Sequence, residues 1–159
     1  EPSLVRETRR TNEAMPKWVA AKVVRLLESA GKRPGECTAF VLGFAFKGRP
    51  ETSDMRDAPT LALVCELQRL GMKVLGHDPA VPAEEVASTG AEPTSIERGF
   101  AGADAVVVMT NHVTYESLDI AKLLSTMRLP GVLLDGWQLF DRGLVAAVPG
   151  VQHGGVGFA

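Results

Sequence analysis

Cysteine is scarce in this sequence. Cys37 and Cys65 are the two present, too few for a disulfide framework, so a reducing compartment is expected. No apolar run approaches the roughly 20 residues that a membrane-crossing helix needs, and no secretory leader is visible. The sequence thus predicts a cytoplasmic chain with no membrane partner. An excess of charge is also missing: 17 Lys and Arg stand against 19 Asp and Glu, for a formal net charge of -2. That balance removes the electrostatic ground for a nucleic-acid partner. Two familiar phosphate loops are absent as well. Gly43-x-x-x-x-Gly48 starts like a Walker A loop, but Arg49-Pro50 stands where Lys and Ser or Thr are required. A dinucleotide fingerprint needs Gly-x-Gly-x-x-Gly, and Gly43-Phe44-Ala45-Phe46 lacks the second glycine. An anion bound here is therefore expected to be held mainly by side chains. No metal ligand is assigned.

What the sequence does contain is enough apolar residues, 45% of 159, for one domain with a proper core. Its most informative stretch is residues 38–59, TAFVLGFAFKGRPETSDMRDAP. The run up to Phe44 reads as a strand buried on both faces of a parallel sheet. Charged residues follow, and Asp57-Ala58-Pro59 opens a helix with Asp57 as the expected N-cap and Pro59 in the first turn. Ligands of open α/β sheets bind beyond the carboxyl ends of the strands, where Lys47, Arg49 and Arg56 would be displayed.

Residues 3–30 are helical in pattern, with a stripe of Leu4, Val5, Met15, Trp18, Val19, Val23, Leu26 and Leu27 and a kink expected at Pro16. The stripe can serve an interface or simply pack on the chain's own sheet. Gly31-Lys32-Arg33-Pro34-Gly35 marks a boundary. After residue 60 an amphipathic helix closes at Gly71, with Cys65 expected on its buried face as an inert thiol, and residues 73–78 form a second strand. Asp78-Pro79 is read as a structural turn rather than a ribose-binding acid, because it lies well beyond the expected ~20 residues from the glycine loop.

Residues 82–89 read as a short helix, and Thr94 with Glu97 as a capping box. Residues 105–109 are a clear buried strand ending in Thr110-Asn111-His112. His112 is weighed as a ligand neighbour or acid-base group against an ordinary solvated loop histidine. A helix over 120–127, a strand over 131–135 and Gly-rich turns around a last strand over 144–158 complete the alternation. The predicted class is α/β: a Rossmann-like, doubly wound parallel sheet in three layers, preceded by a long N-terminal helix.

Three strings carry a family resemblance: Val41-Leu42-Gly43-Phe44-Ala45-Phe46-Lys47, Asp54-Met55-Arg56-Asp57-Ala58-Pro59, and His77-Asp78-Pro79. Together they resemble the C-terminal UDP-binding domain of the UDP-glucose/GDP-mannose 6-dehydrogenases, in particular the UDP-sugar members. Residues 4–19, with Arg9-x-x-Asn12-x-x-x-Pro16, resemble that family's connecting helix. The resemblance implies a connecting and dimerisation helix with linker over 1–35 and a nucleotide-sugar-binding domain over 36–159. It implies a homodimer through the helix and a parent enzyme, of polysaccharide biosynthesis, that oxidises the C6 hydroxyl of a UDP-sugar with NAD.

That chemistry uses a catalytic cysteine and an NAD fingerprint which lie upstream in the family. No catalytic residue is therefore expected in this chain, which by itself is predicted inactive; its opening at Glu1 rather than a methionine suits a piece of a longer protein. By resemblance Phe46 and Lys47 contact the nucleotide sugar and Arg56 reaches the NAD. The competing reading of Lys47 and Arg56 is a solvated loop paired with Glu51, Asp54 or Asp57. Where many members carry a substrate-binding arginine, this chain has Gly136-Trp137-Gln138. Either Arg142 substitutes or the site differs, and the second case favours a freestanding binding or assembly module without dehydrogenase activity.

Overall fold

Strand β1 (Thr38–Leu42) is buried along its whole length, as an apolar run with no alternation requires. It sits at the centre of a six-stranded sheet of order β3-β2-β1-β4-β5-β6, with β2 at Lys73–His77, β3 at Glu92–Pro93, β4 at Ala105–Val108, β5 at Gly131–Asp135 and β6 at Val151–Gly155. Every pairing is parallel. The computed structural model describes residues 3–155, apart from the side chain of Leu4. Leu4 of the expected stripe and residues 156–158 of the expected last segment lie outside the described residues.

Parallel neighbours need crossovers, and helices supply most of them. Helix α1 (Ser3–Ser29) and α2 (Pro59–Arg69) cover one face, where Val23, Leu27, Leu63 and Leu67 meet Ala39, Val41, Val107 and Leu134. The opposite face carries α4 (Ile96–Gly102), α6 (Ile120–Leu124) and α7 (Arg142–Ala146), with Phe100, Leu124 and Val145 packed on Phe40, Leu42, Val106 and Leu133. Odd and even residues of β1 thus enter different cores, the period-2 rule of a strand. Each fully buried Leu or Val contributes about 1.5–3 kcal/mol. A short helix α3 (Ala83–Ser88) and a single turn α5 (Val113–Glu116) complete the chain.

Helix α1 serves two surroundings. Val19, Ala20, Val23 and Leu27 join the core, whereas Val5 is 58% and Trp18 43% exposed. Pro16 lies within the helix without ending it. Lys22 Nζ donates to Gly155 O at 2.7 Å and lies 5.2 Å from the Trp18 ring centroid, tying α1 to the end of β6.

Several local expectations are corrected. Asp57 does not cap α2: its φ is 59°, and Ala58 occupies the cap in extended conformation with no side-chain hydrogen bond. Pro59, whose missing N–H costs nothing in a first turn, starts the helix. Thr94 is not a cap either. Its N–H donates to Gly76 O at 3.0 Å, prolonging the sheet pairing by one residue, so Ser95 caps α4 instead by accepting from Arg98 N at 3.3 Å. Cys65 is exposed. The buried positions of α2 are Thr60, Leu63, Val64 and Leu67, an i, i+3, i+4, i+7 stripe that puts position i+5 on the far side. Helix α6 ends at Leu124, short of 127, and the stretch read as Gly-rich turns holds α7, capped by Asp141 accepting from Leu144 N at 3.0 Å.

Candidate functional site

The chain runs from β1 outward through β2 and β3 and then crosses back to β4 on the other side of β1, so the reversal of strand order opens a crevice at the carboxyl ends of β1 and β4. The loop after β1 enters this crevice through Gly43, whose φ is +95°. A Cβ there would lie 2.4 Å from Thr110 Cβ and 2.7 Å from Thr110 N. Only glycine combines that backbone with that approach. Thr60 Oγ1 donates to Gly43 O at 2.9 Å, and Thr110 Oγ1 donates to Ala45 O at 2.9 Å.

Asp78 is the hub of the crevice floor. Its Oδ2 accepts from Phe44 N at 2.6 Å and Ala45 N at 2.9 Å, and its Oδ1 accepts from Ala80 N at 2.8 Å and Val81 N at 3.0 Å. The expected turn role is therefore present, extended by a clasp on the loop after β1. Burial opposes the carboxylate, but hydrogen bonds from His112 and these amides outweigh it and hold its pKa well below the usual range.

His112 departs from a solvated loop histidine: its side chain is fully buried. Nε2 lies 3.2 Å from Asp78 Oδ2 and Nδ1 lies 3.2 Å from Glu51 Oε1. Burial disfavours the imidazolium, yet Asp78 and Glu51 raise its pKa above the ordinary value. The physical reason is topological, since β4 pairs beside β1 and its exit segment runs under the loop from residue 43 to 51. Gly48 N donates to Asn111 Oδ1 at 3.3 Å, and a Cβ on Gly48 would meet His112 N at 2.5 Å. The polar cluster at the end of β4 was the visible signal for this contact; the engagement of Glu51 had none.

The three residues expected to touch ligand lie on this loop. Phe46 is 56% exposed and Lys47 is exposed, while Phe46 N donates to Asp54 O at 2.8 Å. Among the described residues Lys47 makes no ion pair, because Glu51 faces His112 and Asp54 is taken by Arg56. Arg56 binds Asp54 through Nε at 2.9 Å and Nη2 at 2.7 Å, and the guanidinium's hydrogen bonds lower the Asp54 pKa to about 2. Arg49 pairs with Glu116 of α5. An open depression of about 590 Å³ separates Gly48–Glu51 from α5.

On the other flank, buried Asp135 accepts from Trp137 N at 3.1 Å and Phe140 N at 3.0 Å. Trp137 is 50% exposed, with Nε1 donating to Met109 O at 2.8 Å. Arg142 Nη2 donates to Gln138 Oε1 at 3.3 Å. Neither thiol is at the crevice. Cys37 precedes the amino end of β1 and is buried, which pushes its pKa up, and Cys65 is on the outer side of α2. The crevice thus offers a cation and aromatic faces over a fixed polar floor. It is not a cradle for a dinucleotide pyrophosphate: the Phe44 and Ala45 amides are spent on Asp78, whose negative charge would repel one.

Residues 40–142 match the UDP binding domain of the UDP-glucose/GDP-mannose dehydrogenase family. The chain is 33% identical over 133 residues to the UDP-N-acetyl-D-mannosamine dehydrogenase of Pyrococcus horikoshii, covering 84% of this chain and 29% of that protein. It is 30% identical over 146 residues to the UDP-glucose 6-dehydrogenase TuaD of Bacillus subtilis, covering 90% of this chain and 30% of TuaD. The chain therefore spans less than a third of these relatives. Among solved structures it resembles the UDP-D-ManNAc dehydrogenase of Pyrococcus horikoshii, with TM-score 0.81, 30% identity, and coverage of 99% of this chain and 34% of that one. It also resembles the NDP-N-acetyl-D-galactosaminuronic acid dehydrogenase of Methanosarcina mazei Go1, with TM-score 0.85, 26% identity, and coverage of 99% and 32%. A parallel six-stranded sheet, a crevice loop with an uncommitted lysine and a family match over most of the chain agree: this chain belongs to the UDP-glucose/GDP-mannose dehydrogenase family and comprises its UDP-binding domain.

Proposed function

We propose that the chain is the nucleotide-sugar-binding part of a cytoplasmic, NAD-dependent dehydrogenase that oxidises the C6 hydroxyl of a UDP-sugar. The observation that carries this reading is the Phe46-Lys47 pair, displayed over a built floor at the carboxyl ends of β1 and β4. Lys47 supplies a point charge to the substrate's oxygens, and Phe46 an apolar face. Hydride chemistry belongs to the rest of the parent enzyme, so this chain alone turns over nothing. Arg56, on the outer limb of the loop, is the contact toward NAD held by another domain. A calorimetric titration with UDP, GDP and their sugars tests the reading, and Lys47→Ala is the decisive variant. It should leave stability within about 0.5 kcal/mol, as a surface substitution does. Its loss of a charge-assisted hydrogen bond, about 1.5–3 kcal/mol, weakens binding roughly tenfold to a hundredfold. Equal affinities for wild type and variant would remove Lys47 from the site.

The dimer interface in this reading is the amino-terminal half of α1. Glu7, Arg10, Thr11, Ala14, Met15 and Trp18 line an open depression of about 310 Å³ there, and Trp18 and Val5 are apolar surface that this domain leaves in water. Light scattering is expected to report a dimer for wild type and a monomer for Trp18→Glu. A wild-type monomer at high concentration would count against the interface.

Trp137 favours a second reading, a binding or assembly module without dehydrogenase activity, because an indole cannot neutralise a phosphate. In the first reading Arg142, which donates to Gln138, provides the missing charge. Affinity for UDP that falls in Arg142→Gln supports the first reading. A chain that dimerises without binding any nucleotide supports the second.

A further inference from the structure

We propose that His112 is a positioning residue for the ligand loop: its doubly protonated ring bridges Asp78 and Glu51, so that nucleotide binding tracks the protonation of this one side chain. The inference rests on the reading that Phe46 and Lys47 contact the nucleotide sugar. Its basis is a count of donors and acceptors. Each ring nitrogen faces a carboxylate oxygen at 3.2 Å. A neutral imidazole has one N–H, and only the imidazolium can donate from both nitrogens. Once the ring loses a proton, one nitrogen lone pair faces a carboxylate, and one of the two contacts has to open.

The surroundings decide which contact opens. Asp78 is buried and accepts from four backbone amides, so it stays. Glu51 keeps 48% of its side chain in solvent and can turn to water at little cost. Glu51 is also where the outer limb of the loop returns: it forms an isolated bridge with Gly48, one residue beyond Lys47. Releasing Glu51 loosens the limb that presents Phe46 and Lys47, which Gly48 N on Asn111 and Arg49 on Glu116 still tether, while the Gly43–Ala45 limb remains on Asp78 and Thr110.

Among the described residues, no other group facing the ring competes for this role. Tyr115 of α5 meets it edge-on, with ring centroids 5.5 Å apart. The Tyr115 hydroxyl donates to His77 O at 2.9 Å and lies 3.2 Å from His77 Nδ1, and burial pushes its pKa up. Burial lowers the pKa of His77 of β2, with the His112 charge acting the same way and Asp78 and Glu97 opposing it. Farther along the loop, Arg49 and Glu116 neutralise each other.

The test uses the whole 159-residue chain. Amide exchange of residues 46–51, the His112 ring signal and UDP affinity are followed from acid to alkaline pH in wild type and in Glu51→Gln. Loop protection in wild type is expected to drop across the His112 titration, with UDP affinity falling on the order of tenfold as the binding-competent fraction shrinks. Glu51→Gln, changed at a half-exposed position that does not threaten folding, should lose that step in both readouts. Ionisation of UDP is common to the two proteins and cancels. His112→Gln, which keeps a polar group of similar reach, should show the same flat profile. Loop protection that ignores the His112 titration, or a Glu51→Gln profile that matches wild type, overturns the proposal. If wild type binds no UDP at any pH, the ligand reading of the loop fails, and the exchange profile still decides the role of His112.

Discussion

Asp78→Ala should remove about 3–5 kcal/mol of stability, the cost of breaking a buried ion pair by deleting one partner. The native free energy of a domain is only about 5–15 kcal/mol, so this is a large fraction of the total. The deletion leaves the His112 ring without its buried counter-charge and four amides, those of Phe44, Ala45, Ala80 and Val81, without their acceptor. The urea midpoint at neutral pH measures it directly. A midpoint within about 0.5 kcal/mol of wild type would mean that water replaces the carboxylate, contrary to its burial.

The same cluster sets the pH profile of stability. The folded pKa of Asp78 lies below its unfolded value of about 3.9, so its contribution is complete above that value and is lost as pH falls through the lower folded one. His112 has the opposite sign. Its folded pKa is raised above 6.5, so its contribution is complete below 6.5 and is lost as pH rises through the raised value. Wild-type stability should therefore decline both as pH falls below about 3.9 and as pH rises above 6.5. In Asp78→Ala both slopes should flatten, and a profile parallel to wild type would assign the titrations elsewhere.

Gly43→Ala is the second large effect. A left-handed backbone costs a non-glycine residue roughly 1–2 kcal/mol, and forcing a methyl into a filled site about 1–3 kcal/mol more. Here the obstacle includes the backbone nitrogen of Thr110 at 2.7 Å, which cannot swing aside. Gly31→Ala is the matched control, since Gly31 has φ +76° but nothing within 4 Å of a Cβ. Denaturant unfolding should show the Gly31 variant losing only the backbone part and the Gly43 variant losing roughly two to three times as much. Equal losses would show that the approach of β1 and β4 exits is slack, and with it the crevice floor.

The elements that read correctly from sequence are those whose burial is one-sided or complete. Residues 38–42, 105–108 and 131–135 are runs of apolar side chains between polar loops, and a strand buried on both faces has no other way to look. Helix α2 was legible from its apolar spacing, but its cap was not: Asp57 is a favoured capping type, yet its backbone is left-handed, a fact set by how the long loop returns to the helix. Thr94 failed as a cap for a related reason, because its amide was claimed by Gly76 of a neighbouring strand.

Lys47, Arg49 and Arg56 stood out in sequence because a charged loop follows a buried strand, whereas Phe46 as a contact and the ligand roles of Lys47 and Arg56 came from the family resemblance; the loop's place at a sheet's carboxyl edge follows from strand order. Local chemistry by itself determined the strands, the major helices and the position of the loop, since periodicity and glycine placement act between near neighbours. The clasp that holds the loop was decided only by tertiary structure. Glu51, Asp78 and His112 come from three separate segments, and the parallel pairing of β1 with β2 and β4 brings their side chains together. Whether each is a solvated surface group or part of a buried charge network depends on which strands lie side by side, and no spacing along the chain records that.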